Sequence, residues 1–346
     1  MKFTSTRAFS IALSLLVSSS GTVADNQRGL RGPSESDVKF PDSFRLPDGF
    51  RPEGSVAGTG TEIYVSCTRG PQVGFIWKGD VSTGEGSVLI PPTGDPTRGI
   101  ALDQQGRLWV AWKFGGRVYD SSTGDLLKEY TFELGTNSVI NDVIVGKDKV
   151  IFTDSGSSIP NGRQETGIPR LFVVELGAGA SQDLPDEFTE VRASSADLNL
   201  DSGYPTLNGI ETVPADTSKV IACHTNLGLL VNIDLVTGET TEVDVGDVNR
   251  PFSTCDGLVR RGSTLYVVRN RDTIVSKVSL DPRGTSGVIE TMYDLNTIIS
   301  YPNLGTTTTG ALYGDYLYMP DSRFRLDCSA VDCNTAPFSV YGIKLN

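Results

Sequence analysis

The chain has 346 residues, of which 38% are hydrophobic and 21% are charged, and its formal net charge at pH 7 is −12. This composition is typical of a soluble globular protein, long enough for one large all-β domain or two ordinary domains. An acidic chain without a basic patch repels nucleic acid and anionic lipid, so we expect neither nucleic acid nor membrane as a partner.

The first 24 residues have the pattern of a secretory signal peptide. Lys2 and Arg7 form a positive n-region, residues 8–17 are apolar, and small residues precede Asp25. Such a segment is removed on export, and no later segment is long and apolar enough to span a bilayer. We therefore expect a secreted, extracellular protein in which residues 25–38 form a disordered leader and residues 39–346 form a single domain. A membrane anchor or an organellar targeting sequence is the alternative interpretation of the first 24 residues.

The leader contains one short motif of its own. Residues 28–31 read Arg-Gly-Leu-Arg, which matches the Arg-x-Leu-Arg host-entry motif of oomycete effector proteins. The motif lies close to the expected cleavage point and lacks the acidic residues that usually follow. A basic processing site or coincidence explains it equally well, and these alternatives stay open.

Six segments after the leader share one pattern. Each has a polar residue, in most cases followed by Gly, then a short apolar strand, a turn rich in Gly or Asp, and a second strand with β-branched or aromatic residues. In most units a third strand ends in Asp-x-x-Thr-Gly, as in "GDVSTG" and "YDSSTG", and a fourth strand follows. The segments begin at Pro52, Thr97, Ile140, Leu207, Cys255 and Thr309.

Units of four strands at intervals of about 43 to 67 residues are typical of a β-propeller. The sequence therefore predicts an all-β fold, a six-bladed β-propeller of four-stranded antiparallel blades around a central channel. The stretch from Asp42 to Pro47 precedes the first unit and can supply the outer strand of the last blade, which would close the ring. The longest interval, between the third and fourth units, predicts long loops over one face.

Five cysteines suit an oxidising compartment. Cys328 and Cys333 are close enough in the chain to staple a loop, and we expect this disulfide. Cys223 and Cys255 either pair or remain buried thiols, which leaves Cys67 over.

Superimposing the six units aligns the polar residue that opens each of them. The first strand of a propeller blade is innermost, so equivalent positions converge on the axis, and the following Gly lets inner strands approach closely. Asp142 replaces that Gly in the third unit. The opening residues are Glu53, Arg98, Asn141, Asn208, Asp256 and Thr309.

Four of these residues predict a metal site. Glu53, Asn141, Asn208 and Asp256 form an all-oxygen set with two negative charges, which suits a hard divalent cation and Ca²⁺ above all. Zinc or copper would prefer imidazole or thiolate, and the chain has one histidine. Two alternatives stay open: the side chains bind channel water or cap strand ends, or the Arg98 guanidinium pairs with Glu53 or Asp256 in place of a metal.

At these residues the sequence resembles the senescence marker protein / gluconolactonase / luciferin-regenerating enzyme family, which includes regucalcin-like proteins. Members are six-bladed propellers with a divalent metal in the axial channel, held by a Glu, two Asn and an Asp from the first, third, fourth and fifth blades. The resemblance covers about residues 40–346. The matching positions are Glu53 in "RPEG", Asn141 in "VIND", Asn208 in "TLNG" and Asp256 in "TCDG".

The resemblance implies a metal-dependent hydrolase of lactones or related esters, and the predicted signal peptide makes it a secreted one. Asp256 is expected to be a metal ligand and the catalytic general base, and Arg98 and Asn141 are expected to contact the small-molecule substrate. Sugar-lactone hydrolases of this family often carry an Arg two residues before the third-blade Asn. This chain has Val139 there, which favours a less polar lactone or ester over a sugar acid.

A non-catalytic function is the alternative. A secreted propeller with a structural calcium could bind a ligand or a protein partner through its long third-blade loop, because fold does not fix function. A strictosidine-synthase-like activity on a similar propeller is disfavoured by the four-ligand set. The lone His224 is expected to be structural, and Ser-His-Asp catalysis is not expected because no Gly-x-Ser-x-Gly motif is present.

Overall fold

The computed structural model describes residues 40–132, 138–156, 169–177, 183–201, 203–246, 249–299 and 304–346. The predicted signal peptide at 1–24, the predicted leader at 25–38 and the motif at 28–31 all lie outside the described residues. No helix within the described ranges has the length and apolar character needed to cross a membrane.

The described residues form six four-stranded antiparallel sheets, which confirms the predicted six-bladed β-propeller. The chain enters through β1 (Ser43–Arg45). Blade 1 contains β2 (Arg51–Ala57), β3 (Glu62–Arg69), β4 (Ile76–Asp80) and β5 (Gly86–Ile90). Blade 2 contains β6 (Thr97–Leu102), β7 (Arg107–Trp112), β8 (Gly115–Asp120) and β9 (Leu126–Thr131). Blade 3 contains β10 (Ile140–Val145), β11 (Lys149–Asp154), β12 (Arg170–Glu175) and β13 (Thr189–Arg192).

The second half of the chain continues the same pattern. Blade 4 contains β14 (Leu207–Thr212), β15 (Lys219–His224), β16 (Leu229–Asp234) and β17 (Thr240–Glu242). Blade 5 contains β18 (Cys255–Arg261), β19 (Thr264–Arg269), β20 (Ile274–Leu280) and β21 (Gly287–Asp294), followed by the short helix α1 (Leu295–Ile298). Blade 6 contains β22 (Ala311–Tyr313), β23 (Tyr316–Pro320) and β24 (Ser339–Lys344).

The first strand closes the ring, as the sequence predicted. β1 is the outer strand of blade 6 and pairs antiparallel with β24, with Phe44 opposite Val340. The Phe44 ring also stacks on Trp77 of blade 1, with 5.7 Å between the ring centroids. The last blade is therefore built from both ends of the domain and is packed against the first.

Apolar side chains are buried between neighbouring blades rather than in one central core. Among the described residues they form six clusters, one at each junction between two blades. At the junction of blades 2 and 3, Phe132 stacks on Phe172 with 4.2 Å between the ring centroids. Because each blade covers apolar surface of both its neighbours, the removal of one blade would expose two clusters to water.

The cysteines form two disulfides. Cys328–Cys333 is present as predicted, and Cys223 pairs with Cys255, which decides between the alternatives that the sequence left open. This second bond joins β15 of blade 4 to β18 of blade 5. Cys67 is buried and forms no disulfide. Burial raises the pKa of its thiol to about 11, so the thiol stays protonated at neutral pH.

His224 is a structural residue at the end of β15. It is fully buried, and the backbone N–H of Leu227 donates to its Nδ1 at 3.2 Å. The ring proton is therefore on Nε2, which donates to the carbonyl of Leu200 at 2.8 Å. Burial lowers the pKa of His224 below its usual 6.5, so the ring is neutral in the folded protein at neutral pH.

Removing the Cys223–Cys255 bond should destabilise the domain more than removing Cys328–Cys333. The two bonds span 32 and 5 residues, and the chain-entropy relation gives losses of about 3.7 and about 2.1 kcal/mol. Urea unfolding of the Cys223→Ala/Cys255→Ala and Cys328→Ala/Cys333→Ala variants measures both losses. Equal losses, or a larger loss from the second pair, would contradict this assignment.

Acid should destabilise the domain through His224. The folded state has the lower pKa, so this contribution to the free energy of unfolding is complete above pH 6.5 and falls below it. For one titrating group, the free energy of unfolding changes by at most about 1.4 kcal/mol per pH unit. The charged ring is unfavourable in the folded state because its Nδ1 would also be a donor and would face the N–H of Leu227. Unfolding of the wild type and of His224→Gln between pH 5 and 8 should show the two stabilities converging in acid. A difference that stays constant with pH would count against a buried neutral His224.

Candidate metal centre in the axial channel

Five inner strands carry a β-bulge at the same place. In β2, β6, β10, β14 and β18 the pairing with the second strand shifts register across the opening polar residue and the residue after it. In β14, for example, the shift falls between Leu207 and Ile210, and Asn208 lies inside it. A bulge bends the strand and re-aims a side chain, so the repeat turns the same residue of each blade in the same way.

The residue after each opening residue lies where adjacent inner strands touch. A Cβ added to Gly54 would lie 2.2 Å from the carbonyl oxygen of Arg98, and one added to Gly209 would lie 2.1 Å from the carbonyl oxygen of Asp256. At these two positions a side chain would clash with the backbone of the next blade, which explains the polar-Gly pairs of the sequence.

Asp142 takes the glycine position in blade 3 and has a bridging role there. Its Oδ1 accepts from the N–H of Val143 at 2.9 Å, and its Oδ2 accepts from the N–H of Ile210 at 3.2 Å. The carboxylate therefore links the inner strands of blades 3 and 4. Burial raises its pKa to about 7, although both backbone hydrogen bonds oppose this shift.

Three of the four predicted ligand residues are linked by hydrogen bonds. Asn141 Nδ2 donates to Asn208 Oδ1 at 2.6 Å. Asn208 in turn hydrogen-bonds Asp256, which lowers the pKa of that carboxyl. Glu53 lies close enough for the charge of Asp256 to raise its pKa. The bulges of blades 1, 3, 4 and 5 thus bring the predicted set to one region of the axis.

Three residues that orient this set were not predicted from the sequence. Ser155, Thr225 and Asn270 each follow the last residue of a second strand, in blades 3, 4 and 5. Asn141 Nδ2 donates to Ser155 Oγ at 2.8 Å and Asn208 Nδ2 to Thr225 Oγ1 at 3.1 Å. Asn270 Nδ2 donates to Asp256 Oδ2 at 2.8 Å. The signal was a polar residue closing the second strand in "TDS", "CHT" and "VRN".

The two carboxyl groups of the set are buried and lack a direct counter-ion. Glu53 is 9% exposed and Asp256 5%, and no described residue donates a hydrogen bond to the Glu53 carboxylate. Burial, and then the negative charge of Asp256, raises the pKa of Glu53 well above its usual range. Burial raises the pKa of Asp256 to about 7, while hydrogen bonds from Asn270 and Asn208 oppose the shift. Full ionisation of both groups therefore requires a cation nearby.

Arg98 lies beside the set without pairing with it. Its guanidinium donates to the carbonyl of Ile140 at 3.1 Å, and among the described residues no ion pair joins it to Glu53 or Asp256. Burial lowers its pKa, which the negative charge of Glu53 partly restores. Arg98 thus contributes positive charge at a distance and leaves the space between the carboxylates to another group.

The chemistry of the donor set suits a hard cation. Two carboxylates and two carboxamides offer only oxygen ligands once the amides are turned suitably. Asn208 Oδ1 accepts from Asn141, so both amide oxygens face one ion only if one carboxamide rotates. The described residues contain no group of three or more His, Cys, Asp or Glu that could hold a metal. The proposed set does not meet that description because only two of its four members are acidic.

A cavity of about 160 Å³ adjoins the set between blades 4 and 5. Asn208 and Arg271 are among its lining residues. Thr254 Oγ1 and Asn270 Oδ1, from two further lining residues, are buried and have no hydrogen-bond partner among the described residues. The cavity can therefore take a small molecule that brings its own polar groups.

Gly209→Ala should destabilise the domain and disturb the set. The new Cβ would lie 2.1 Å from the carbonyl oxygen of Asp256 and 2.8 Å from the Cα of Gly257, and such overpacking costs about 1–3 kcal/mol. Gly146→Ala is the matched control, because its nearest neighbour is 3.3 Å away, and it should cost clearly less. Urea unfolding compares the two, and similar losses would refute the close approach of blades 4 and 5.

Comparison with known proteins finds similarity in structure. No protein-family model matches the chain, and no curated protein matches it in sequence. The calcium-binding protein regucalcin from Agrobacterium tumefaciens strain C58 matches with a TM-score of 0.58 and 17% identity, over 89% of this chain and 96% of that one. Luciferin-regenerating enzyme matches with a TM-score of 0.58 and 15% identity, over 87% of this chain and 94% of that one.

A third match is Mala s 1, the major allergen of Malassezia sympodialis, with a TM-score of 0.61 and 14% identity, over 88% of this chain and 96% of that one. At such identities the likeness is one of fold. The chain is thus a six-bladed propeller similar to regucalcin and luciferin-regenerating enzyme, and the resemblance indicated by the four short motifs is confirmed at the level of the fold.

Proposed function

We propose that this chain is a secreted, divalent-metal-dependent hydrolase of lactones or related esters, with the metal, Ca²⁺ above all, in the axial channel. The observation that carries the proposal is the meeting of two buried carboxylates without a direct counter-ion, Glu53 and Asp256, with two carboxamides at equivalent bulges. Burying carboxylates is costly unless they are paired or bind a cation. The two disulfides support an oxidising, extracellular setting.

The four residues would bind the cation, and one of them would also transfer a proton. Glu53, Asn141, Asn208 and Asp256 would hold the cation through side-chain oxygens. A divalent cation at such a site polarises the carbonyl oxygen of an ester and stabilises the negative charge that develops on it. Asp256 would also accept the proton of the attacking water, with Asn270 fixing the orientation of its carboxylate through the bond to Oδ2.

Arg98 and Asn141 would contact the substrate from blades 2 and 3. The positive charge of Arg98 lies beside the set rather than within it, where it can attract the acyl oxygen of a bound ester. The cavity between blades 4 and 5 offers room for the rest of a small molecule. Val139, where related sugar-lactone hydrolases often have an Arg, favours a substrate with an apolar acyl chain.

The alternative is a non-catalytic, calcium-binding propeller that acts as a ligand- or protein-binding module. One observation favours it: His224, which could have served as a proton shuttle, is bonded to Leu200 and Leu227 instead. Asp256 would then act as a ligand only. The same four residues hold the cation in both functions, so the two differ in turnover rather than in metal binding.

Turnover should depend on the metal and on Asp256. We expect the purified protein to contain a divalent cation and to hydrolyse γ- or δ-lactones or aryl esters in a chelator-sensitive way. Asp256→Ala, and the isosteric Asp256→Asn, should lower kcat/KM by about 100-fold or more. Asp315→Asn is the matched control, because the Asp315 side chain is 76% exposed, and it should leave turnover unchanged.

The outcomes separate the two functions. Tight Ca²⁺ binding that Asp256→Ala weakens, without turnover of any lactone or ester, would establish the binding module and reject the hydrolase. Chelator-insensitive turnover, or full activity in Asp256→Ala, would reject the metal-dependent mechanism.

A further inference from the structure

A second cavity lies along the inner strands beyond the bulges. Its volume is about 230 Å³, and residues of all six blades line it. Most of the lining residues follow the bulges in the chain, whereas the predicted metal ligands lie within them; Asp142, inside the bulge of blade 3, also lines the cavity. None of the four predicted metal ligands lines this cavity, so it extends along the other half of the axial channel and shares only the neighbouring Asp142 with the surroundings of the metal centre.

The internal repeat singles out two polar residues in this cavity. Two positions after each opening residue the chain has an apolar residue in every unit except the first, where it has Ser55. Three positions after, it has an apolar residue in every unit except the fourth, where it has Glu211. The two sets are Ser55, Ile100, Val143, Ile210, Leu258, Ala311 and Val56, Ala101, Ile144, Glu211, Val259, Leu312. Packing alone would be served by apolar residues at both places, as in the other blades.

The Ser55 hydroxyl needs a partner that the described residues do not supply. Ser55 is 6% exposed and lines the cavity, and its Oγ has no hydrogen-bond partner. A buried hydroxyl without a partner costs about 1–3 kcal/mol. The cavity is therefore built to receive a polar group at blade 1.

The opposite wall carries two carboxyl groups, those of Asp142 and Glu211. Blades 1 and 4 face each other across a six-bladed ring, and Glu211 of blade 4 lies beside Asp142 of blade 3, whose pKa its charge raises. Glu211 Oε2 accepts from the N–H of Thr212 at 2.9 Å and from Arg260 Nε at 3.1 Å. No described residue donates to the other oxygen, Oε1.

Arg260 also lines the cavity and forms an ion pair with Glu211, with 3.1 Å between Nε and Oε2, so it offsets the charge of that carboxylate. Its guanidinium also donates to the carbonyl of Gly262 at 2.6 Å and to Thr212 Oγ1 at 2.5 Å, so all three of its nitrogens are engaged. The groups left for a ligand are acceptors on the side of blades 3 and 4, a hydroxyl on the side of blade 1, and apolar walls between them.

We propose that this cavity is a second small-molecule site, for a short amino alcohol. The ammonium group would donate to Glu211 Oε1, the hydroxyl would bond Ser55 Oγ across the channel, and the hydrocarbon chain would lie against Ile100, Val143 and Leu258. No covalent step is involved. The site is independent of the metal centre and of the proposed hydrolysis.

Calorimetric titration of the whole protein with 5-aminopentanol, n-pentylamine and n-pentanol tests the proposal. We expect one saturable site for 5-aminopentanol, weaker binding of pentylamine by about 3- to 10-fold, and weaker binding of pentanol by about 10-fold or more. Ser55→Ala should weaken 5-aminopentanol to the level of pentylamine and leave pentylamine unchanged. Glu211→Gln should weaken both amines by about 10-fold or more.

Two controls keep the result independent of folding and of the metal centre. Ser55→Ala removes a hydroxyl that has no partner, so its thermal unfolding should match or exceed that of the wild type. Asp256→Ala, and added chelator, should leave amine binding intact even where they abolish metal binding or turnover.

Several results would overturn the amino alcohol site. They are the absence of saturable amine binding, equal affinity for pentanol and 5-aminopentanol, or loss of amine binding in Asp256→Ala. Displacement of the amine by Ca²⁺ in a way that depends on Glu211 would replace the proposal with a second cation site.

Discussion

The close approach of neighbouring inner strands at their bulges is the constraint on which the rest of the structure depends. At Gly54 and Gly209 the backbone of the next blade occupies the place of a side chain. Five bulges at equivalent positions aim the preceding residue of each blade in the same way. The six apolar clusters between the blades hold this arrangement. Packing that any propeller needs thus produces a ring of convergent polar side chains here.

The same close packing of the inner strands buries two carboxyl groups near each other on the axis. Strands that touch exclude water, so Glu53 and Asp256 are desolvated and their pKa values rise. Hydrogen bonds with residues at the ends of the second strands hold Asn141, Asn208 and Asp256 in place but supply no positive charge. The Cys223–Cys255 bond joins the two strands next to Asp256 and holds blades 4 and 5 together there. A rigid frame around under-compensated negative charge is what a cation site requires.

Much of this could be predicted from the sequence, because it repeats. The six units, the polar-Gly pairs, the closure by residues 42–47 and the convergence of four oxygen-bearing residues all follow from aligning the chain with itself. What could not be predicted depends on contacts between units. Ser155, Thr225 and Asn270 support the set only because second strands end beside inner strands, and Asp142 replaces a glycine because its carboxylate reaches Ile210 of the next blade. The pairing of Cys223 with Cys255 likewise required knowing which strands are adjacent.

We propose that the oxygens of Glu53, Asn141, Asn208 and Asp256 share one divalent cation on the propeller axis. Anomalous scattering from crystals grown with Ca²⁺, and then with Mn²⁺, tests it most directly. We expect one peak in both crystals, with oxygens of all four residues about 2.0–2.6 Å away, as is usual for such ions. The proposed cation site would be rejected if no peak appeared on the axis and water or the Arg98 guanidinium lay between the two carboxylates.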